Sequence, residues 1–273
     1  MKKTATYSAH LYSPHPASTA NRSSGQPARP GVFRRWLSAP WLACACAGLV
    51  TPVLGTVKTW DGSSSGYWGT ALNWAGGVAP VSGDDLVFQG GAINLINTNN
   101  MAGLRVKSVT FTGSGYTLRG SAIVVTNGVS GQQGSPGANT IEIPITLGAV
   151  QTFDCINAGA SQTFSGNLTN GGFTLTLSGS GNVTFGGGIL GTGGLTKNGT
   201  GTATFSGSTA NTYSGATVVN AGVLALGKSV LNASIVGSLL TIGDGVGGAS
   251  TAVVRDLIGA QIGSIPITIN SDG

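Results

Sequence analysis

The chain has 273 residues, 47 of them glycine, and only 8% are charged. Ordinary globular chains carry roughly 25% charged residues, so this composition excludes a highly charged disordered chain, and glycine without an every-third spacing excludes a collagen-like rod. The formal charge of +5 is concentrated at the start: Lys2, Lys3, Arg22, Arg29, Arg34 and Arg35 precede residue 36, whereas from Thr56 onward seven basic residues face eight acidic ones.

Residues 1–31 are polar, rich in Pro, Ser and Ala, and without apolar period; they read as a disordered N-terminal extension. Arg34 and Arg35 then introduce an apolar stretch ending in Val53-Leu54-Gly55, and 32–55 reads as a secretory signal peptide. Pro40 and Pro52 interrupt that stretch and argue against a retained membrane helix. Translation starting near Val32 would give a signal of ordinary length. Cys44 and Cys46 leave with the signal, and His10 and His15 lie ahead of it. The exported part therefore contains no imidazole and a single thiol, Cys155. That thiol sits between Asp154 and Ile156, a setting for a buried small hydrophobe rather than a reactive thiolate.

Residues 56–91 hold Trp60, Trp68 and Trp74 at high turn density and read as an N-terminal cap. The end of a solenoid exposes core and unpaired strand edges unless something closes it. Large aromatics close such an end well. The same rings, Trp60, Tyr67, Trp68 and Trp74, also offer flat faces to sugar rings, so glycan contact is the competing expectation for these four.

From residue 92 to 273 the chain alternates short β-branched strands with Gly, Asn and Ser turns. Residues 141–147 (IEIPITL) and 173–177 (FTLTL) alternate apolar and polar side chains, as strands with one buried face do. Pro144 and Pro266 are in tension with this, because proline cannot donate to a ladder; a corner and an interrupted sheet are both open readings. Residues 228–236 form a single turn of helix at most. A tetrapeptide of form Thr-aromatic/Leu-small-Gly occurs at 110–113, 163–166, 176–179, 184–187, 204–207 and 212–215, and the last four fall into two pairs related by a shift of 28. A period in this range marks a solenoid. The expectation is about 8 coils of about 25 residues at ~4.8 Å each, with Val, Ile, Leu and Phe inward and Thr and Asn outward. Residues 270–273 fall in a turn pattern, so the solenoid is expected to be truncated at its C-terminus.

Gly194-Leu195-Thr196-Lys197-Asn198-Gly199-Thr200-Gly201, Phe205-Ser206-Gly207, Asn211-Thr212-Tyr213-Ser214-Gly215 and the run from Val219 to Gly227 resemble the autotransporter-associated β-strand repeat, also called the passenger-associated transport repeat. The resemblance implies an all-β, right-handed parallel β-helix that is exported and displayed at, or released from, the bacterial surface. It implies a repeat that assists secretion and folding and brings no catalytic residues. Autotransporters end in an outer-membrane β-barrel, which nothing in these residues resembles; membrane contact is expected only through an anchor or translocator outside them.

The eight acids, Asp61, Asp84, Asp85, Glu142, Asp154, Asp244, Asp256 and Asp272, are scattered, and the adjacent Asp84 and Asp85 would point to opposite faces of a strand. A glycosidase needs two carboxyls at a fixed short separation, and pairing across coils remains open on sequence grounds. From Thr56 onward the absence of histidine removes a His-dependent triad, the single cysteine makes zinc a poor fit, and the lack of a basic patch argues against nucleic acid. Residues 243–248 (GDGVGG) read as a turn rather than a calcium repeat, since the motif occurs once. The favoured function is a non-catalytic exported scaffold or adhesin-like passenger with no cofactor, met by the secretion machinery during export. The alternative is an extracellular β-helix that binds or cleaves polysaccharide, with a cell-surface or extracellular polysaccharide as partner and Asp84 or Asp85 as its acids.

Overall fold

The computed structural model describes residues 55–246 and 251–273; the expected extension (1–31) and all of the expected signal except Gly55 lie outside the described residues. The chain winds as a parallel β-solenoid. One face is a ten-stranded sheet running from Val57–Trp60 to Ile267–Ile269, a second is an eight-stranded sheet from Ile96–Asn99 to Ala252–Asp256, and a third is a five-stranded sheet from Arg105–Val106 to Ile189–Leu190. Every ladder is parallel, as a chain that returns to each face after one full coil requires. The only helical piece among the described residues is the 3-10 turn Ala71–Asn73; residues 228–236 form none.

The register corrects the repeat period. Thr163 pairs with Thr184 and Thr184 with Thr204, so the Thr-Phe-small-Gly tetrapeptides at 163–166, 184–187 and 204–207 stack on one face as successive rungs. Coil length is not constant: the turn that brings Leu175 to Leu195 is much shorter than the first one, which brings Val57 to Asp85. The shift of 28 read from sequence carries Thr176, on the ten-stranded sheet, to Thr204, on the eight-stranded one. It adds the step between faces, Thr176 to Thr184, to one coil, Thr184 to Thr204, and so relates positions that are not equivalent.

Inward columns supply the core. On the eight-stranded sheet Leu118, Ile141, Phe164, Phe185, Phe205 and Leu226 follow one another in register and are all buried. Phe153, Phe164 and Phe185 stack at centroid separations of 5.2 and 5.1 Å, and Phe205 meets Phe185 edge-on at 6.0 Å. Outward on the same strands runs the column Thr117, Thr140, Thr163, Thr184, Thr204. Thr is therefore outward as expected, whereas Asn divides: Asn100, Asn127, Asn167, Asn182 and Asn198 are exposed, but Asn97, Asn99, Asn139, Asn170 and Asn211 are buried. Asn139 accepts from Tyr116 N (3.0 Å) and donates to Gly113 O (3.0 Å), and Asn211 accepts from Ile189 N (2.9 Å) and donates to Ser234 O (2.7 Å). A tight corner leaves backbone groups without ladder partners, and a short amide turned inward supplies them.

The proline tension resolves as corners. Residues 141–147 are not one strand: Ala138–Ile141 belongs to the eight-stranded sheet and Ile145–Leu147 to the five-stranded one. Pro144 stands immediately before the second of these, and Pro266 immediately before Ile267–Ile269, at strand starts where no donor is needed. The alternation still holds around the bend, so Ile141, Ile143, Ile145 and Leu147 are all buried. Gly222 shows what another corner demands. Its φ is +68°, and a Cβ there would lie 2.5–2.7 Å from the carbonyl oxygens of Gly199, Gly201 and Thr200.

Candidate functional site

The four aromatic candidates divide. Val57–Trp60 pairs with Asp85–Phe88 as the first rung of the long sheet, and 61–81 folds over the end of the core. Trp60, Trp68 and Trp74 are 0–1% exposed. Trp74 meets Trp60 edge-on at 5.1 Å and Trp68 edge-on at 6.2 Å, and all three lie 5.7–6.3 Å from Phe88. Each indole N–H is satisfied, two of them by the segment that follows the cap: Trp60 Nε1 donates to Asn94 O (2.8 Å), Trp68 Nε1 to Asn97 Oδ1 (2.7 Å) and Trp74 Nε1 to Trp68 O (2.7 Å). Such ring pairs contribute about 0.5–1.5 kcal/mol each beyond area burial. Buried indoles present no face to a sugar. Tyr67, 53% exposed and bridged to Thr98, is the one ring of the four that keeps its surface in solvent.

The acids divide too, mostly by local backbone chemistry. Asp84 is 1% exposed and accepts Thr56 N (2.7 Å), the Thr56 hydroxyl (3.0 Å) and Val81 N (2.8 Å), with Lys58 Nζ at 4.0 Å. Burial alone would raise this carboxyl, but the hydrogen bonds from Val81 and Thr56, with the Lys58 charge, outweigh it and hold it below the ordinary value. Asp85 points the other way, to the Ser108 hydroxyl (2.5 Å) and Lys107 Nζ (3.3 Å). Glu142 pairs with Arg119 at 2.8 Å. Asp61, Asp244 and Asp256 each accept the N–H two residues ahead, fixing turns. Asp272 accepts Asp244 N and Gly245 N, which places residues 243–246 in a turn braced by a later one; Gly247 and Gly248 lie outside the described residues. Asp154 stands in register between Ser130 and Ser178, with no second acid beside it. Among the described residues no three His, Cys, Asp or Glu side chains gather as a metal-binding group.

Two groups escaped sequence reading. Lys197 and Lys228 are 3% and 0% exposed. The Lys197 ammonium donates to the carbonyls of Gly199 and Ala221, and the Lys228 ammonium to Ser206 O (2.7 Å) and Gly187 O (3.0 Å). Lys228 occupies the register position that Gly187 and Gly207 hold in the two preceding coils, so its side chain reaches back along the axis and joins three coils. Burial lowers both lysines to about 8. The sequence signal for Lys228 was a lysine in a column of glycines, and for Lys197 a lysine in a column of aliphatics between Leu177 and Val219, both visible once the register between coils is known. Cys155 is buried, and burial with the neighbouring Asp154 charge raises its thiol to about 11, so it stays protonated at neutral pH. The Cys155 thiol and the ammonium groups of Lys197 and Lys228 are thus enclosed, and neither ammonium donates to a carboxylate. Among the described residues no helix is long and apolar enough to cross a membrane.

The passenger-associated-transport-repeat family model matches residues 195–226. That segment contains Leu195–Lys197 and Thr217–Val219, paired on the ten-stranded sheet, and Thr202–Phe205 and Gly222–Leu226, paired on the eight-stranded one. One repeat is therefore two successive rungs on two faces. Between them Tyr213, 1% exposed and bonded to the Thr217 hydroxyl at 2.6 Å, follows the last strand of the third sheet. No characterised protein and no solved structure matches the chain. The repeat and the parallel β-solenoid together fit an autotransporter-passenger-like protein.

Proposed function

We propose that this chain is an exported, non-catalytic scaffold of the bacterial surface, an adhesin-like passenger whose repeat supports secretion and folding. The observation carrying this reading is the direction of its chemically capable side chains. Cys155, Lys197 and Lys228 face the interior, and Asp61, Asp84, Asp244 and Asp256 hold backbone N–H groups. An active site needs a nucleophile or base exposed to substrate with a partner that activates it. The passenger-repeat match at 195–226 supports export, in which the secretion machinery is the transient partner. Incubating the exported protein with a broad polysaccharide panel should release no reducing ends; release that disappears in Asp85→Ala would overturn the scaffold reading.

A second reading rests on Tyr67 alone. Its exposed ring, on the same outward line as Thr98 and Arg119, suits a surface or extracellular polysaccharide. Polysaccharide pull-down lost in Tyr67→Ala, with unchanged thermal unfolding, would support it. Retention of wild-type behaviour in that variant would remove it.

A further inference from the structure

We propose that signal removal between Gly55 and Thr56 creates an ion pair between the new α-ammonium group of Thr56 and the buried carboxylate of Asp84, so that proteolytic maturation itself fastens the N-terminal cap. The inference rests on the export reading above. The sequence places the end of the signal at Val53-Leu54-Gly55, with small or β-branched residues at the two positions a peptidase reads. The fold independently places the next nitrogen. Thr56 N lies 2.7 Å from Asp84 Oδ1, and the Thr56 hydroxyl lies 3.0 Å from the same oxygen. Thr56 O accepts Asp85 N at 2.9 Å, and the register Val57↔Asp85 begins one residue later. The nitrogen is therefore held from both sides before any cleavage.

Three hydrogen bonds hold the carboxylate in its charged form, but no cation touches it directly. Asp84 is 1% exposed, and its nearest cation, Lys58 Nζ, stands 4.0 Å from Oδ2. The neighbouring Asp85 turns away to Lys107 and Ser108, so it neither competes for the new amine nor helps Asp84. A buried charge needs an opposite charge or several hydrogen bonds to persist. Hydrolysis consumes one water and breaks the Gly55–Thr56 C–N bond. The hydroxyl goes to the Gly55 carbonyl carbon, giving a carboxylic acid that ionises and leaves with the signal as a carboxylate. The nitrogen gains the water's remaining hydrogen and the proton that the acid releases, becoming an ammonium with three donors. One donor keeps the Asp84 bond and now carries formal charge, and the others face solvent, because Thr56 is exposed. Gly55 itself passes so close to Gly83 that only a residue without a Cβ fits there.

The test uses the full chain expressed with export in a bacterial host. The exported protein is sequenced from its N-terminus, and its α-amino group is titrated by pH-dependent acylation. The expected first residue is Thr56. Its amine should titrate about 1 unit or more above the ordinary ~7.7–8.0, the direction an opposite charge in contact imposes. In Asp84→Asn the amine should return to the ordinary range. If that variant does not fold, selective Nα-acetylation of the wild type serves instead and should lower its thermal midpoint. Export with a different first residue, or a wild-type amine titrating in the ordinary range, would overturn the ion pair and leave the export reading standing. Complete retention of the chain in the cytoplasm, unprocessed, would overturn both.

Discussion

The two enclosed lysines give the solenoid an unusual dependence on pH. Burial lowers Lys197 and Lys228 from 10.5 to about 8. The folded chain therefore holds these protons less tightly than the unfolded chain, and below pH 8 each ammonium weighs against folding. Stability should rise as pH climbs from 8 toward 10.5, because the unfolded state then binds more protons than the native one. Worked from these values, the gain between pH 8 and 9 is about 1 kcal/mol per lysine. Cys155, raised from 9.0 to about 11, acts in the opposite sense but chiefly above pH 9, where its unfolded thiol ionises. Tyr116 and Tyr213, raised to about 12, oppose only above pH 10. Urea unfolding of wild type, Lys197→Met and Lys228→Met at pH 8 and 9 isolates the effect, since differences between chains cancel every shared group. Each methionine variant should show a rise about 1 kcal/mol smaller than wild type. A Lys228→Met chain that keeps the full wild-type rise would show that this ammonium is not enclosed as described.

Further outcomes follow from the packing. Phe185→Ala removes a ring stacked at 5.1 Å on Phe164 and edge-on to Phe205, and should destabilise by about 3–5 kcal/mol in urea titrations. Trp60, Trp68 and Trp74 are the only tryptophans after residue 55, so in a chain processed as proposed above fluorescence reports the cap alone; emission should be blue and poorly quenched by acrylamide, and Trp68→Ala should shift it red. Gly222→Ala should cost clearly more stability than Gly76→Ala. Both have positive φ, about 1–2 kcal/mol for an L-residue, but Gly76 has open space where Gly222 meets three carbonyl oxygens. Cys155 should resist thiol reagents at pH 8 until urea unfolds the chain; rapid native labelling would contradict its burial.

The solenoid itself was legible because its strands carry their own punctuation. Thr-Phe-small-Gly places an outward hydroxyl, an inward ring and a turn glycine side by side, and that unit recurs in register at 163–166, 184–187 and 204–207. Its period was not legible, because the same unit also ends strands on a second face, and similarity between faces mimics similarity between coils. The cap was legible from the close spacing of Trp60, Trp68 and Trp74, although sequence could not separate a plug from a sugar platform. That distinction depends on where the indole N–H groups find acceptors, and Trp68 within the cap and Asn94 and Asn97 on the first coil beneath it supply them. The inward asparagines and buried lysines were hidden by a surface prior for polar residues. That prior fails at corners, where unpaired backbone carbonyls and N–H groups make an enclosed amide or ammonium favourable.

Export of a passenger-like solenoid is tested most directly on intact cells. An epitope placed between Gly76 and Gly77, in an exposed turn of the cap with open space around both residues, should leave the fold undisturbed. With the gene expressed in its natural context, antibody should label unpermeabilised cells or recover the protein from the medium. Labelling that appears only after permeabilisation, with the protein confined to the cytoplasm, would contradict the account.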